Sequence, residues 1–250
     1  MQLLSGIGFL VLLVASLGVG VRMLALARRT GQAPELLLGL SLVLLAGVGY
    51  PLMVATRAPG LLEPPLLGAV AVGGVLAIDV SVALLFAFTW RVFRSGSRLA
   101  RSAALLAMAA TALHFLWAAG PNWAAVSPES LTGRTRLPAI LQLLLCVAAY
   151  GWSAVEALAL HGKLRKRLAL GLADPLVCHR TGLWALVSIA AGSAGLVNVF
   201  YLAAGVDVLR SDPAQLLTAA AGITQSVGLY LAFLPPRTWA DRVRARAAAP

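Results

Sequence analysis

The chain has 250 residues, 60% of them hydrophobic and only 12% charged. Soluble domains run at about 45–50% and about 25%, so this much apolar surface is expected to face lipid rather than fill one soluble core. The formal charge of +11 sits in short clusters between apolar runs, the pattern of loops at one membrane face, and argues against a nucleic-acid partner.

The first apolar run covers about residues 3–27, long enough to cross a bilayer, with Gly6, Gly8, Gly18 and Gly20 as small contact residues. Ala25-Leu26-Ala27 resembles a signal-peptide cleavage site. However, Met1-Gln2 offers no positive leader, the run is too long for a signal core, and Arg28 and Arg29 follow it. It is read as a spanning helix. Pro34 and Glu35 open the second run, about residues 34–56, as proline and a carboxylate suit a helix start. Pro51, after Gly47-Val48-Gly49-Tyr50, removes a backbone bond and is expected to kink that helix.

The third run, about residues 66–93, is the organising stretch, with Asp79 near its middle. Upstream, Ala69, Gly73 and Ala77 recur every four residues and are expected to give a face where another helix packs closely. The fourth run covers about 102–120 and carries His114. The fifth covers about 138–160 and carries Gln142, Cys146, Tyr150, Trp152 and Glu156. Residues 121–136 form the longest loop opposite the basic clusters, with Trp123 as an interfacial anchor. The most basic loop runs from His161 to Arg180, and within it Asp174-Pro175 reads as an N-cap followed by proline. The sixth run covers about 181–205 and carries Asn198 and Tyr201. Asp212-Pro213 repeats the cap signal before the seventh run, about 213–234, which carries Gln225. Residues 237–250 are a short basic tail, with a surface helix and a frayed end equally compatible with its pattern.

The fold class expected is all-α: a polytopic bundle of seven transmembrane helices over residues 1–236. Sixteen of the twenty basic residues fall on one side and four, Arg57, Arg134, Arg136 and Arg210, on the other. The positive-inside rule then places the N-terminus outside and the C-terminus in the cytoplasm of a plasma or bacterial inner membrane. A labelling reagent confined to the outside is expected to reach a thiol placed at Ser127 but not one placed at Arg165. The reverse pattern would overturn this orientation.

Depth narrows the candidate chemistry, at about 1.5 Å of rise per residue. Asp79, Gln225 and Tyr150 fall near the midplane, and His114, Asn198, Tyr201, Gln142 and Tyr50 fall in the outer half. A carboxylate at membrane depth is costly unless something uses it, so an outward ligand site with Asp79 as its floor is expected. Its lining would come from His114, Asn198, Tyr201, Gln225 and Gln142. For any single amide or phenol the ordinary alternative is interhelical hydrogen bonding, worth about 0.6 kcal/mol per contact. His114 is a candidate partner for Asp79, or a proton acceptor near neutral pH. Glu156 is expected to pair with an arginine near the inner interface. Lys163, Arg165, Lys166 and Arg167 are the candidate contacts for a partner protein or anionic lipid.

No GxSxG elbow is present, and His161 and His179 fall in a loop far from His114. No enzyme activity, metal or cofactor is therefore expected, and neither cysteine has a second thiol at metal-ligand spacing. A b-type haem would need facing histidines at membrane depth, and only His114 qualifies.

Seven helices with an outer N-terminus are also the topology of microbial rhodopsins and of the large eukaryotic G-protein-coupled class. The former need a lysine in helix seven, and 213–234 has none. The latter carry Asp/Glu-Arg-Tyr and Asn-Pro-x-x-Tyr, where this chain has Thr89-Trp90-Arg91-Val92 and Gly228-Leu229-Tyr230-Leu231. The likeness stops at topology. The leading expectation is a receptor-like module that binds a small or lipidic ligand and signals through a separate partner. A small-solute transporter, proton-coupled through Asp79, and a structural subunit of a membrane complex are the alternatives.

Overall fold

The computed structural model describes residues 2–58, 60–119, 136–206 and 211–248. Among them the chain is helical and has no strands. In chain order the helices are α1 (Gln2–Thr30), α2 (Ala33–Val43), a π-helical segment (Leu44–Gly49), α3 (Tyr50–Ala55), α4 (Pro64–Phe93), α5 (Arg98–Ala118), α6 (Arg136–Leu168), α7 (Pro175–Ala203), α8 (Asp212–Phe233) and α9 (Arg237–Ala248). Seven helices are long and apolar enough to cross a membrane, with α2, the π-helical segment and α3 together making the second. This is the make-up of an integral membrane protein.

The spans pack as a ring: α1 against α2, α2 against α4, α4 against α6, α6 against α7, α7 against α8, and α8 back against α1. Helix α5 stands outside this ring, packed mainly on α4. Burial follows the same geometry. The apolar window of α4 is 56% buried, whereas that of α5 is only 17% buried. The reading of the third run as the hub therefore matches its place in the bundle. Phe88 of α4 meets Trp184 of α7 edge-on at 5.6 Å, and Trp184 meets Phe233 of α8 at 5.8 Å. These rings fill the centre towards the basic end.

The close approach between the second and third spans matches the expected one in part. Ala69 is exposed rather than part of the contact. A Cβ on Gly74 would lie 2.9 Å from the Met53 sulfur, and one on Gly49 would lie 2.6 Å from Ile78 Cγ1. Gly73 itself faces Leu52, at 3.4 Å from where its Cβ would lie, and Ala77 is buried, but the tightest approaches are at Gly74 and Gly49. Ser41 and Ser81 lock the same pair of helices: Ser41 Oγ donates to Ser81 O at 3.0 Å, and Ser81 Oγ donates to Ser41 O at 2.9 Å. The kink expected at Pro51 takes the form of the π-helical segment. Proline has no N–H for the preceding turn and its ring crowds that turn, and a local widening of the helix relieves both.

Several ends also differ from the sequence reading. Helix α6 continues to Leu168, so the first part of the basic loop is helical. It stops where Gly171 adopts φ 69° and Leu172 N–H reaches back to Arg167 O at 2.8 Å, a glycine-terminated cap. Asp174 caps α7 as expected, accepting from Leu176 N–H at 2.7 Å. Asp212 is not a cap; Ser211 holds that position and Asp212 lies in the first turn of α8, where its charge suits the helix dipole. Helix α5 begins at Arg98 rather than 102, because Ser97 Oγ accepts from Ala100 N–H at 3.2 Å. The basic tail forms α9, held to α7 by Trp239 against His179 at 4.6 Å. Trp123, Ser127, Arg134 and Arg210 lie outside the described residues.

Candidate functional site

Three of the six predicted ligand-site residues come together. Asp79 of α4 is 3% exposed and His114 of α5 is 7% exposed. Their side chains meet at 2.7 Å, from Asp79 Oδ2 to His114 Nδ1. Gln142 of α6 donates from Nε2 to Asp79 Oδ1 at 3.2 Å and lies 3.5 Å from Val75 O. The other ring nitrogen of His114, Nε2, faces Pro138 O of α6 at 3.0 Å. One carboxylate, at the middle of α4, thus ties together three spans.

The hydrogen-bond pattern restricts where protons sit. A carbonyl oxygen only accepts, so His114 Nε2 must carry a hydrogen to bond Pro138 O. The contact from Nδ1 to Asp79 then needs one further proton between the two atoms. Either the imidazole is charged and the aspartate ionised, or both are neutral with the proton on the carboxyl group. In both forms the pair holds one shared proton in an apolar surrounding. This assignment follows from the network of partners. A buried charge lacking such partners would cost several kcal/mol, on the order of 3–5 when one member of a pair is removed.

Gln225 is placed elsewhere. With Ser16, Tyr50 and Tyr150 it lines an internal cavity of about 20 Å³, whose remaining walls include Leu45, Trp184 and Val187. That space and its polar lining suit about one water molecule. The π-helical segment borders this cavity through Leu45, which places its irregular backbone beside the polar groups. Asn198 donates to Ala194 O of its own helix at 2.8 Å. Tyr201 is half-buried, with its ring edge-on to Phe200 at 5.9 Å. The six residues therefore divide into a cluster of three, one cavity wall and two separate positions on α7.

Other polar contacts had no sequence signal beyond residue type. Trp184 Nε1 donates to Ser153 Oγ at 2.9 Å, and Ser188 Oγ lies 3.5 Å from the same oxygen. Towards the basic end, Glu156 meets the arginine expected of it: Arg94 Nε lies 2.9 Å from both carboxylate oxygens. Trp152 Nε1 adds a contact to Glu156 Oε1 at 3.3 Å. Lys163, Arg165, Lys166 and Arg167 are all exposed on the last turns of α6. Among the described residues, no three His, Cys, Asp or Glu side chains gather to hold a metal ion. No family model, curated protein or solved structure matches the chain.

Proposed function

We propose that this protein is a membrane module of receptor-like topology that binds a small or lipidic ligand from the outer side and signals through a separate partner at its basic face. One observation carries this reading. A carboxylate buried within the spans, Asp79, is held by side chains from two other helices rather than by fixed backbone donors. A ligand with a cationic or hydrogen-bonding group takes the place of Gln142 or His114 at Asp79. Helix α5 is the element free to respond, since it is the least buried span. It also reaches the other face, where the Arg101 guanidinium lies over the Trp90 ring of α4 at 6.0 Å. Movement of α5 at His114 therefore alters the arginine cluster at its far end.

A second reading, proton-coupled transport of a small solute, is favoured by the π-helical segment beside the polar cavity. Interrupted helices near the midplane are a recurring feature of transporters. Thermal unfolding of the purified protein against a panel of cationic amphiphiles, lipids and small amines separates the readings. A ligand at one hundred times its Kd is expected to add about 2.7 kcal/mol of stability. Solute-driven proton uptake in proteoliposomes, with no stabilising compound in the panel, would replace sensing by transport. Neither response would leave a structural subunit.

A further inference from the structure

A second site lies at the basic end, where α4 and α6 part to leave a cleft of about 110 Å³. Its apolar walls include Val92 and Phe93 from α4 and Leu160 from α6, and its polar lining is Arg94, Glu156 and Lys163. Glu156 is already neutralised, since Arg94 Nε spans its two oxygens and Trp152 donates to one of them. That pairing uses only one of the three guanidinium nitrogens. The two Nη groups have no partner among the described residues, and the Arg94 side chain is 52% exposed. Lys163 is exposed and makes no ion pair among the described residues. The cleft therefore offers a planar guanidinium fork and an ammonium group against a single, occupied carboxylate.

Position narrows the occupant. Arg94 is the C-cap of α4, so the polar mouth sits where that span leaves the apolar layer. Val92 is exposed on the outer surface of the same turn, and it continues the apolar wall along the helix. A phosphate suits the guanidinium fork and the lysine, while the apolar walls suit acyl chains. Basic pockets between spans at such a boundary take anionic lipid headgroups. Nearby, Arg91 lies over the Trp90 ring at 5.0 Å and adds positive charge to the same turn.

We propose that this cleft is a binding site for the phosphate headgroup of an anionic phospholipid, gripped by Arg94 and Lys163. The site stands apart from the Asp79 cluster and does not depend on the sensing role. It is tested by native mass spectrometry of the detergent-purified protein with equal amounts of phosphatidylglycerol and phosphatidylcholine. The wild type is expected to retain phosphatidylglycerol at least fivefold better. Lys163→Gln is expected to remove most of that preference. Arg28→Gln, an exposed basic residue in the last turn of α1 and outside the cleft, is expected to keep it. Both side chains are exposed, so both variants should melt as the wild type does. Equal retention of the two lipids, or equal loss in the two variants, would overturn the site. Displacement of the lipid by inorganic phosphate at the same concentration would overturn the assignment to a lipid.

Discussion

His114→Ala is expected to lower the unfolding free energy by about 3–5 kcal/mol, the scale of breaking a buried ion pair by removing one partner. The imidazole makes two hydrogen bonds from α5 to its neighbours: one to Asp79 of α4 and one to Pro138 O of α6. Alanine removes both and leaves a carboxylate that is 3% exposed with only Gln142 as a donor. Helix α5 is the least buried span, and its remaining hold at this level is apolar packing of Ala118 and Phe115 on Ala71 and Val75 of α4. Unfolding of the purified protein in detergent, with the double variant Asp79→Asn/His114→Ala alongside, checks the cause. Removing the carboxylate charge as well should recover a large part of the loss. If the double variant were as unstable as the single one, the damage would come from the cavity left by the ring rather than from the stranded carboxylate.

The residues differ in how far their roles were legible beforehand. Spans were readable because lipid imposes a length and a composition on every crossing. Asp174 was readable as a cap because its neighbour Pro175 fixes the helix start, yet the same signal at Asp212 was one residue out. Ser211 competes there for the cap position, and no local rule ranks the two. Asp79 was legible because ionisable groups are rare at membrane depth. His114 was legible as its candidate partner from residue type and depth, and the structure pairs the two. That Gln142 joins them depends on the rotation of helices about their axes, which nearly uniform apolar sequences do not encode. The same gap explains Asn198 and Tyr201. By depth they share the level of His114, but they sit on α7, whose ring contact with α4, Trp184 on Phe88, lies towards the basic end. Pro51 predicts a kink but not the π-helical widening before it, because hydropathy carries no information on hydrogen-bond register.

Asp79→Asn should separate architecture from function. The amide keeps the shape of the carboxyl group. Its oxygen still accepts from Gln142, and its NH₂ donates to His114 Nδ1 while Nε2–H stays on Pro138 O. Every contact of the cluster thus survives with a neutral imidazole, and stability should change by no more than about 1 kcal/mol, near the worth of one or two interhelical hydrogen bonds. What is lost is the charge and the shared proton. A ligand cation that relies on Asp79 should bind at least tenfold more weakly, a loss of about 1.4 kcal/mol. Transport coupled through that proton should fall by a similar factor. The decisive measurement is the melting of wild type and Asp79→Asn side by side, with and without the most stabilising compound from the ligand panel. Equal melting of the two proteins without compound, and a stabilising shift confined to the wild type, is the predicted result. A variant that melts normally and responds to the compound as fully as the wild type would contradict a functional role for Asp79.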